Sequence, residues 1–171
     1  KYECLERMSF SGSSRLATTN NEKAEALNNQ YRSVFTQENT TEIPDKSPSP
    51  FSSMPNIIFT TEGIEKLLNN LNPQKASGPD LLPIRVLKEA AKEIAPILQA
   101  LFTQSYESGK LPNDWLTANI VACFKKGNRS LPENYRPVSL TCVITKLMEH
   151  IIFHSIMDHL DNNNILSQYQ Q

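Results

Sequence analysis

Two segments of this sequence combine residue types that can hold an anion. Phe124-Lys125-Lys126-Gly127-Asn128-Arg129 brings three bases together, and Asn134-Tyr135-Arg136-Pro137-Val138-Ser139-Leu140 supplies a fourth shortly afterwards. Lysine is a compact point charge and arginine a planar fork of donors, a combination matched to phosphate oxygens. A strand running into Lys125 and a second one leaving near Arg136 would bring Lys125 or Lys126 close to Arg136. The chemistry is that of an anion site, polyphosphate included. A solvated, charged hairpin loop accounts for the same residues equally well. The second segment is Lys75-Ala76-Ser77-Gly78-Pro79-Asp80. Gly78 permits a turn closed to other residues, Pro79 restricts φ, and Asp80 can accept from nearby backbone amides. The plain reading is a rigid connector between helices.

Other chemistry is sparse. The sequence holds no GxSxG, HExxH, P-loop or GxGxxG motif. His150 and His154 stand four apart, a metal-ligand spacing on a helix, with Glu149 beside them and His159 following. No motif places a third ligand, so a solvated helix face is expected there. Cys142 near a helix start has the setting of a reactive thiol, with a small buried hydrophobe as the default. Cys4, Cys123 and Cys142 are the only cysteines, an odd number without a CxxC pair. That argues against a disulfide scaffold or a zinc ribbon, and it favours a reducing compartment.

Composition narrows the classes further. With 171 residues, 39% apolar and 20% charged, the chain suits one ordinary domain. A net charge of −1 is not that of a basic nucleic-acid-binding chain taken whole. The distribution is uneven, however. Residues 20–70 carry four bases and seven acids, whereas residues 110–136 carry Lys110, Lys125, Lys126, Arg129 and Arg136 against Asp114 and Glu133. A basic patch on a neutral body follows. No apolar run approaches the ~20 residues of a membrane-spanning helix, and residues 1–15 lack a signal h-region. An intracellular protein, in cytoplasm or nucleus, is expected, with no membrane partner.

These candidates need elements to position them. Residues 1–19 are rich in Ser and Thr without periodicity and read as disordered or a severed end. The start at Lys1, without Met, reads as a fragment. Asn20 or Asn21 caps an upstream helix within 20–37, and residues 38–58 form a Pro/Ser-rich linker. From 59 onward, Thr60 or Thr61 opens a helix with the stripe Ile64, Leu67, Leu68 and Leu71. Pro83 opens another, which Pro96 breaks or kinks before Ile97, Leu98, Leu101, Phe102 and Tyr106 continue to a Gly109 cap. Residues 113–116 make a short turn carrying Trp115. Residues 118–124 form a strand, 137–140 are extended, and Thr141 caps a last helix. The expected class is α+β, mostly helical, with one or two short strands that cannot make a stable sheet alone.

The order of motifs carries a resemblance. Lys75-Ala-Ser-Gly-Pro-Asp80, Ser108-Gly-Lys-Leu-Pro-Asn-Asp-Trp115, Phe124-Lys-Lys-Gly127, Tyr135-Arg-Pro-Val-Ser-Leu140 and Lys146-Leu-Met-Glu149 together resemble the start of the polymerase domain of a non-LTR retrotransposon reverse transcriptase of the Jockey, CR1 or RTE-like kind. The segments Lys23-Ala-Glu-Ala-Leu27 and Ser33-Val-Phe-Thr36 resemble the stretch just before it, so the likeness spans about residues 20–171. It implies the fingers portion of a right-hand polymerase, with residues 59–171 a partial reverse transcriptase domain. It implies RNA template, DNA primer and dNTP as partners, and two catalytic Mg²⁺ ions in the parent polymerase. By resemblance Lys125 and Lys126 stand at the fingers strand end, one of them approaching the dNTP triphosphate. Arg136 contacts the same triphosphate or flanks the nascent base pair. Lys75, Gly78, Pro79 and Asp80 form the family loop near the template path. The family's metal-binding aspartates lie downstream. No Asp-Asp pair occurs here, and the sequence stops at Gln168-Tyr-Gln-Gln171, where the family continues. Two-metal phosphoryl transfer needs carboxylates holding ions about 4 Å apart. The resemblance therefore implies a fragment that binds no Mg²⁺ and polymerises nothing alone. The other readings are a non-catalytic RNA-binding module and a helical interaction module derived from a decayed retroelement.

Overall fold

The computed structural model describes residues 8–9, 16–39 and 48–167. About half of the chain is helical, and the strands form two small antiparallel sheets. The chain divides into two compact units, one built from residues 1–45 with 120–139, the other from 46–119 with 140–171.

In the first unit, β1 (Met8–Ser9) pairs antiparallel with β2 (Leu16–Ala17), Met8 opposite Ala17. Helix α1 (Asn20–Ser33) follows. Its cap is Thr19, one residue before the expected Asn20 or Asn21. The Thr19 hydroxyl accepts from the Glu22 N–H at 3.2 Å, and the Glu22 carboxylate accepts from the Thr19 N–H at 3.1 Å. This reciprocal box satisfies two otherwise orphaned donors, which neither asparagine can match with an acid three residues on. The second sheet joins β3 (Asn119–Phe124) to β4 (Tyr135–Leu140). Met8, Ala17, Ala26, Leu27 and Tyr135 are buried together, with Tyr31, Ala122 and Phe124 packed against them. The described residues thus contain four strands, where one or two were expected. Strands of two residues, such as β1 and β2, are too short to show a period.

The second unit holds α2 (Thr61–Asn69), α3 (Ile84–Glu89), α4 (Ala91–Ser108) and α5 (Val143–Asn162). Thr60 caps α2 by accepting from the Gly63 N–H. Ile64, Leu68, Leu87, Ala95, Leu98, Phe102, Leu147 and Met148 lie in one core, joined by Ile57 and Phe59 from the segment before α2. Phe102 stands edge-on to both Phe59 and Trp115, with ring centres 5.6 and 5.7 Å away. Trp115 sits on the expected short turn, Asn113–Leu116.

Three expectations need correction. The helical run breaks at Ala90, not at Pro96, and α4 continues through the proline. Pro96 removes one bond, that to the Lys92 carbonyl. Lys92 and Pro96 are both exposed, so water can satisfy the freed carbonyl. Second, α5 is capped by Cys142 rather than Thr141, its Sγ accepting from the Thr145 N–H at 3.4 Å and lying 2.7 Å from Thr145 Oγ1. Third, the upstream helix stops at Ser33, so Val34 and Phe35, inside the expected span 20–37, lie beyond its end and are exposed. Gly109 does end α4 in the left-handed conformation, φ +64°. The buried residues of α5 are Val143, Thr145, Leu147 and Met148, all in its first half, while Phe153 and Ile156 in its second half are exposed.

Candidate functional site, a basic hairpin and a clamped loop

The β3–β4 connection is more ordered than a solvated loop. Lys125 donates its backbone N–H to the Asn134 carbonyl at 2.8 Å, extending the ladder beyond Phe124. Asn128 Oδ1 accepts from both the backbone and the hydroxyl of Ser130, each at 2.9 Å. Asn134 Nδ2 donates to the Asn128 carbonyl at 2.9 Å. Gly127 has φ +90°, and a Cβ there would lie 2.9 Å from the Asn134 amide. The Tyr135 hydroxyl donates to the Arg129 carbonyl at 2.7 Å. Phe124 meets the Tyr135 ring edge-on, and the Arg129 guanidinium lies 4.5 Å from the Phe124 ring centre. From outside the loop, the Ser9 N–H donates to the Ser130 carbonyl at 2.8 Å. The sequence signal for this order is the Asn128-x-Ser130 spacing, a side-chain turn that a reading of the loop as merely polar passes over.

Burial raises two phenols of this unit. Burial pushes the Tyr135 phenol above its ordinary value, with the Arg129 charge opposing. The Tyr31 phenol is raised chiefly by burial and further by Cys123 and Tyr135. Its oxygen is buried and has no hydrogen-bond partner among the described residues.

The three bases singled out by sequence stand on this frame. Lys125 and Lys126 directly follow β3, and Arg136 is the second residue of β4. The Lys125–Asn134 bond brings Lys125 to within two residues of Arg136 across the ladder. All three side chains are exposed, and among the described residues none has a hydrogen-bond or ion-pair partner. Arg129 differs, since its guanidinium packs on Phe124. Three cations held on a hairpin and unneutralised are a ready surface for phosphate oxygens.

The Lys75–Asp80 loop belongs to the other unit. The Leu81 N–H donates to the Gly78 carbonyl at 3.1 Å, closing a turn with Pro79 and Asp80 at its centre. Asp80 Oδ1 accepts from the Leu82 N–H at 3.3 Å. Gly78 is not in the left-handed region, contrary to the reading of it as the residue that makes the turn. It is buried, and a Cβ on it would lie 2.5 Å from Cys142 Cα and 2.7 Å from both Cys142 N and the Thr141 carbonyl oxygen. Glycine is needed there because two backbones touch. The loop is thereby clamped to the N-terminus of α5. Lys75 and Asp80 remain exposed.

The left-handed residue of this loop is Leu81, φ +54° and 76% exposed. That conformation costs a non-glycine residue roughly 1–2 kcal/mol. Leu81→Gly relieves it at little loss of burial, against the extra chain entropy of glycine, roughly 0.5–1 kcal/mol. We expect a net gain of roughly 0.5 kcal/mol in urea denaturation. A loss of that size would show that Leu81 makes contacts offsetting its strain.

Among the described residues, no three His, Cys, Asp or Glu side chains gather as a metal site. Mg²⁺ takes oxygen ligands in octahedral geometry, typically with one or two carboxylates. Among the described residues no cluster of carboxylates of the kind that would hold two catalytic Mg²⁺ ions is present. No described helix is long and apolar enough to cross a membrane.

No family model matches the chain. Curated proteins do. An RNA-directed DNA polymerase from mobile element jockey of Drosophila melanogaster is 28% identical over 160 residues, 89% of this chain. Its counterpart from Drosophila funebris is 26% identical over the same share. A probable RNA-directed DNA polymerase from transposon BS of Drosophila melanogaster is 28% identical over 91% of the chain. The chain resembles retrotransposon reverse transcriptases. It spans about 18% of the length of these reverse transcriptases. The matched share takes in both units, so the likeness extends over the basic hairpin and the clamped loop alike.

Proposed function

We propose that this chain is the fingers portion of a retrotransposon RNA-directed DNA polymerase, and that its basic hairpin holds the phosphates of template-primer or incoming dNTP. The observation that carries the reading is the set of exposed, unpartnered side chains of Lys125, Lys126 and Arg136 on an internally bonded hairpin. The order of the hairpin supports it, because a frame fixed before binding lowers the entropy of capture. Lys125 and Lys126 supply charge at the strand end, and Arg136 supplies a planar donor fork. The loop of Lys75, Gly78, Pro79 and Asp80 lies near the template path in this reading. Mg²⁺ belongs to the parent polymerase, where carboxylates outside these residues hold it. The chain alone orients phosphate and does not transfer it.

The test is binding of a labelled RNA–DNA primer-template, followed by fluorescence anisotropy. With about three phosphate contacts, affinity falls about 40-fold between 50 and 200 mM salt. Arg136→Ala weakens binding by about five- to tenfold, and replacing Lys125, Lys126 and Arg136 together by alanine flattens most of the salt slope. Equal affinity before and after would remove the hairpin from the site. Primer extension on an RNA template separates the polymerase reading from a binding module. The chain itself is silent, and the same frame extended by about 200 residues, a domain-sized addition, is active. Silence in both would leave a non-catalytic module of a decayed element.

A further inference from the structure

Helix α5 carries a second feature that the polymerase reading does not use. His150 and His154 are one turn apart and both exposed. Their ring centres lie 4.3 Å apart, with the planes nearly perpendicular at 82°. The contact is edge-to-face, so both imidazoles lie on one face of the helix. A turn of the rings out of that contact would let a nitrogen of each reach one ion at about 2.0–2.1 Å. Among the described residues neither imidazole is engaged in a hydrogen bond, and the only other ring contact is that of Phe153 with His154. Lys146 one turn before and Asp158 one turn after leave the row of the helix close to neutral.

We propose that His150 and His154 form a two-point chelate for a borderline divalent transition ion such as Zn²⁺, Ni²⁺ or Cu²⁺. Imidazole selects these ions over Mg²⁺, which prefers oxygen. The site is therefore separate from any Mg²⁺ chemistry of the parent polymerase and does not depend on that assignment. Two protein ligands leave the remaining coordination positions open to water. His159 is excluded from the chelate: its Nδ1 faces the Asn163 amide at 3.2 Å, and it lies more than a turn beyond His154.

The experiment is calorimetric titration of the untagged chain with Zn²⁺ in a Mg²⁺-containing buffer. One ion binds per chain. H150Q and H154Q each abolish that binding, and H159Q keeps it. Circular dichroism of the variants, with helix content equal to the parent, confirms that α5 is intact. Absence of Zn²⁺ binding by the parent, persistence of binding in the H150Q/H154Q double variant, or its loss in H159Q would overturn the proposal.

Discussion

Phe102→Ala is expected to lower the unfolding free energy by about 3–5 kcal/mol. Phe102 has no exposed surface and is among the largest fully buried side chains. Truncation removes the whole ring from water-free packing, leaves a cavity between Phe59 and Trp115, and deletes both T-shaped contacts. Each such aromatic pair adds about 0.5–1.5 kcal/mol beyond its buried area. Small domains are stable by only about 5–15 kcal/mol, so the substitution takes a large fraction of the total. Trp115 is the single tryptophan of the sequence, and its fluorescence reports this core directly during urea unfolding. Leu101→Ala, one position away on α4 and 37% exposed, is the contrast and costs about 1 kcal/mol. Equal losses at the two positions would show that the core is not centred on Phe102.

The second large effect is Gly78→Ala, with an expected loss of about 3 kcal/mol. A methyl group there meets three backbone atoms, Cys142 Cα, Cys142 N and the Thr141 carbonyl oxygen, at 2.5–2.7 Å. Backbone cannot rotate away as a side chain can, so the loop must lift from the start of α5. Gly109→Ala separates this cause from conformational strain. Gly109 has φ +64° and open space around it, so its substitution carries only the left-handed penalty, about 1 kcal/mol. Thermal denaturation ranks the two variants. A greater loss at Gly109 than at Gly78 would mean that the close approach is not what the glycine serves.

What was legible in the sequence divides along a physical line. Apolar spacing marked α2, α4 and α5, and local chemistry marked Gly109 as a cap and narrowed the start of α2 to Thr60 or Thr61, because both signals are contained within a few consecutive residues. The strand ending at Lys125 and the return near Arg136 were also readable, from β-rich residues bounded by turn formers. Features that depend on distant partners were not. Gly78 touches Cys142 through the fold, and its own neighbours describe only a turn. Pro96 looks like a helix breaker until Lys92, whose carbonyl it frees, is found on the exposed side of α4. Cys142 displaced Thr141 as a cap because its thiol is buried beside Thr145, a placement that no spacing rule contains. Leu81 took the left-handed conformation in a loop where Gly78 was expected to do so. Among the site residues, the exposure of Lys125, Lys126 and Arg136 followed from their type, but the bonded loop that carries them did not.

The interleaving of the two units has a consequence for synthesis on the ribosome. The bond from Ser9 to Ser130 joins residues 121 positions apart, and Met8, Ala17 and Leu27 share their core with Tyr135. At about 5–20 residues per second, the first strands and α1 wait roughly 6–24 s for that partner to be made. The other core waits as well, since Val143, Leu147 and Met148 close it last. Until Tyr135 has been made neither core is complete, and that interval is the stage at which chaperones and proteases compete for this protein.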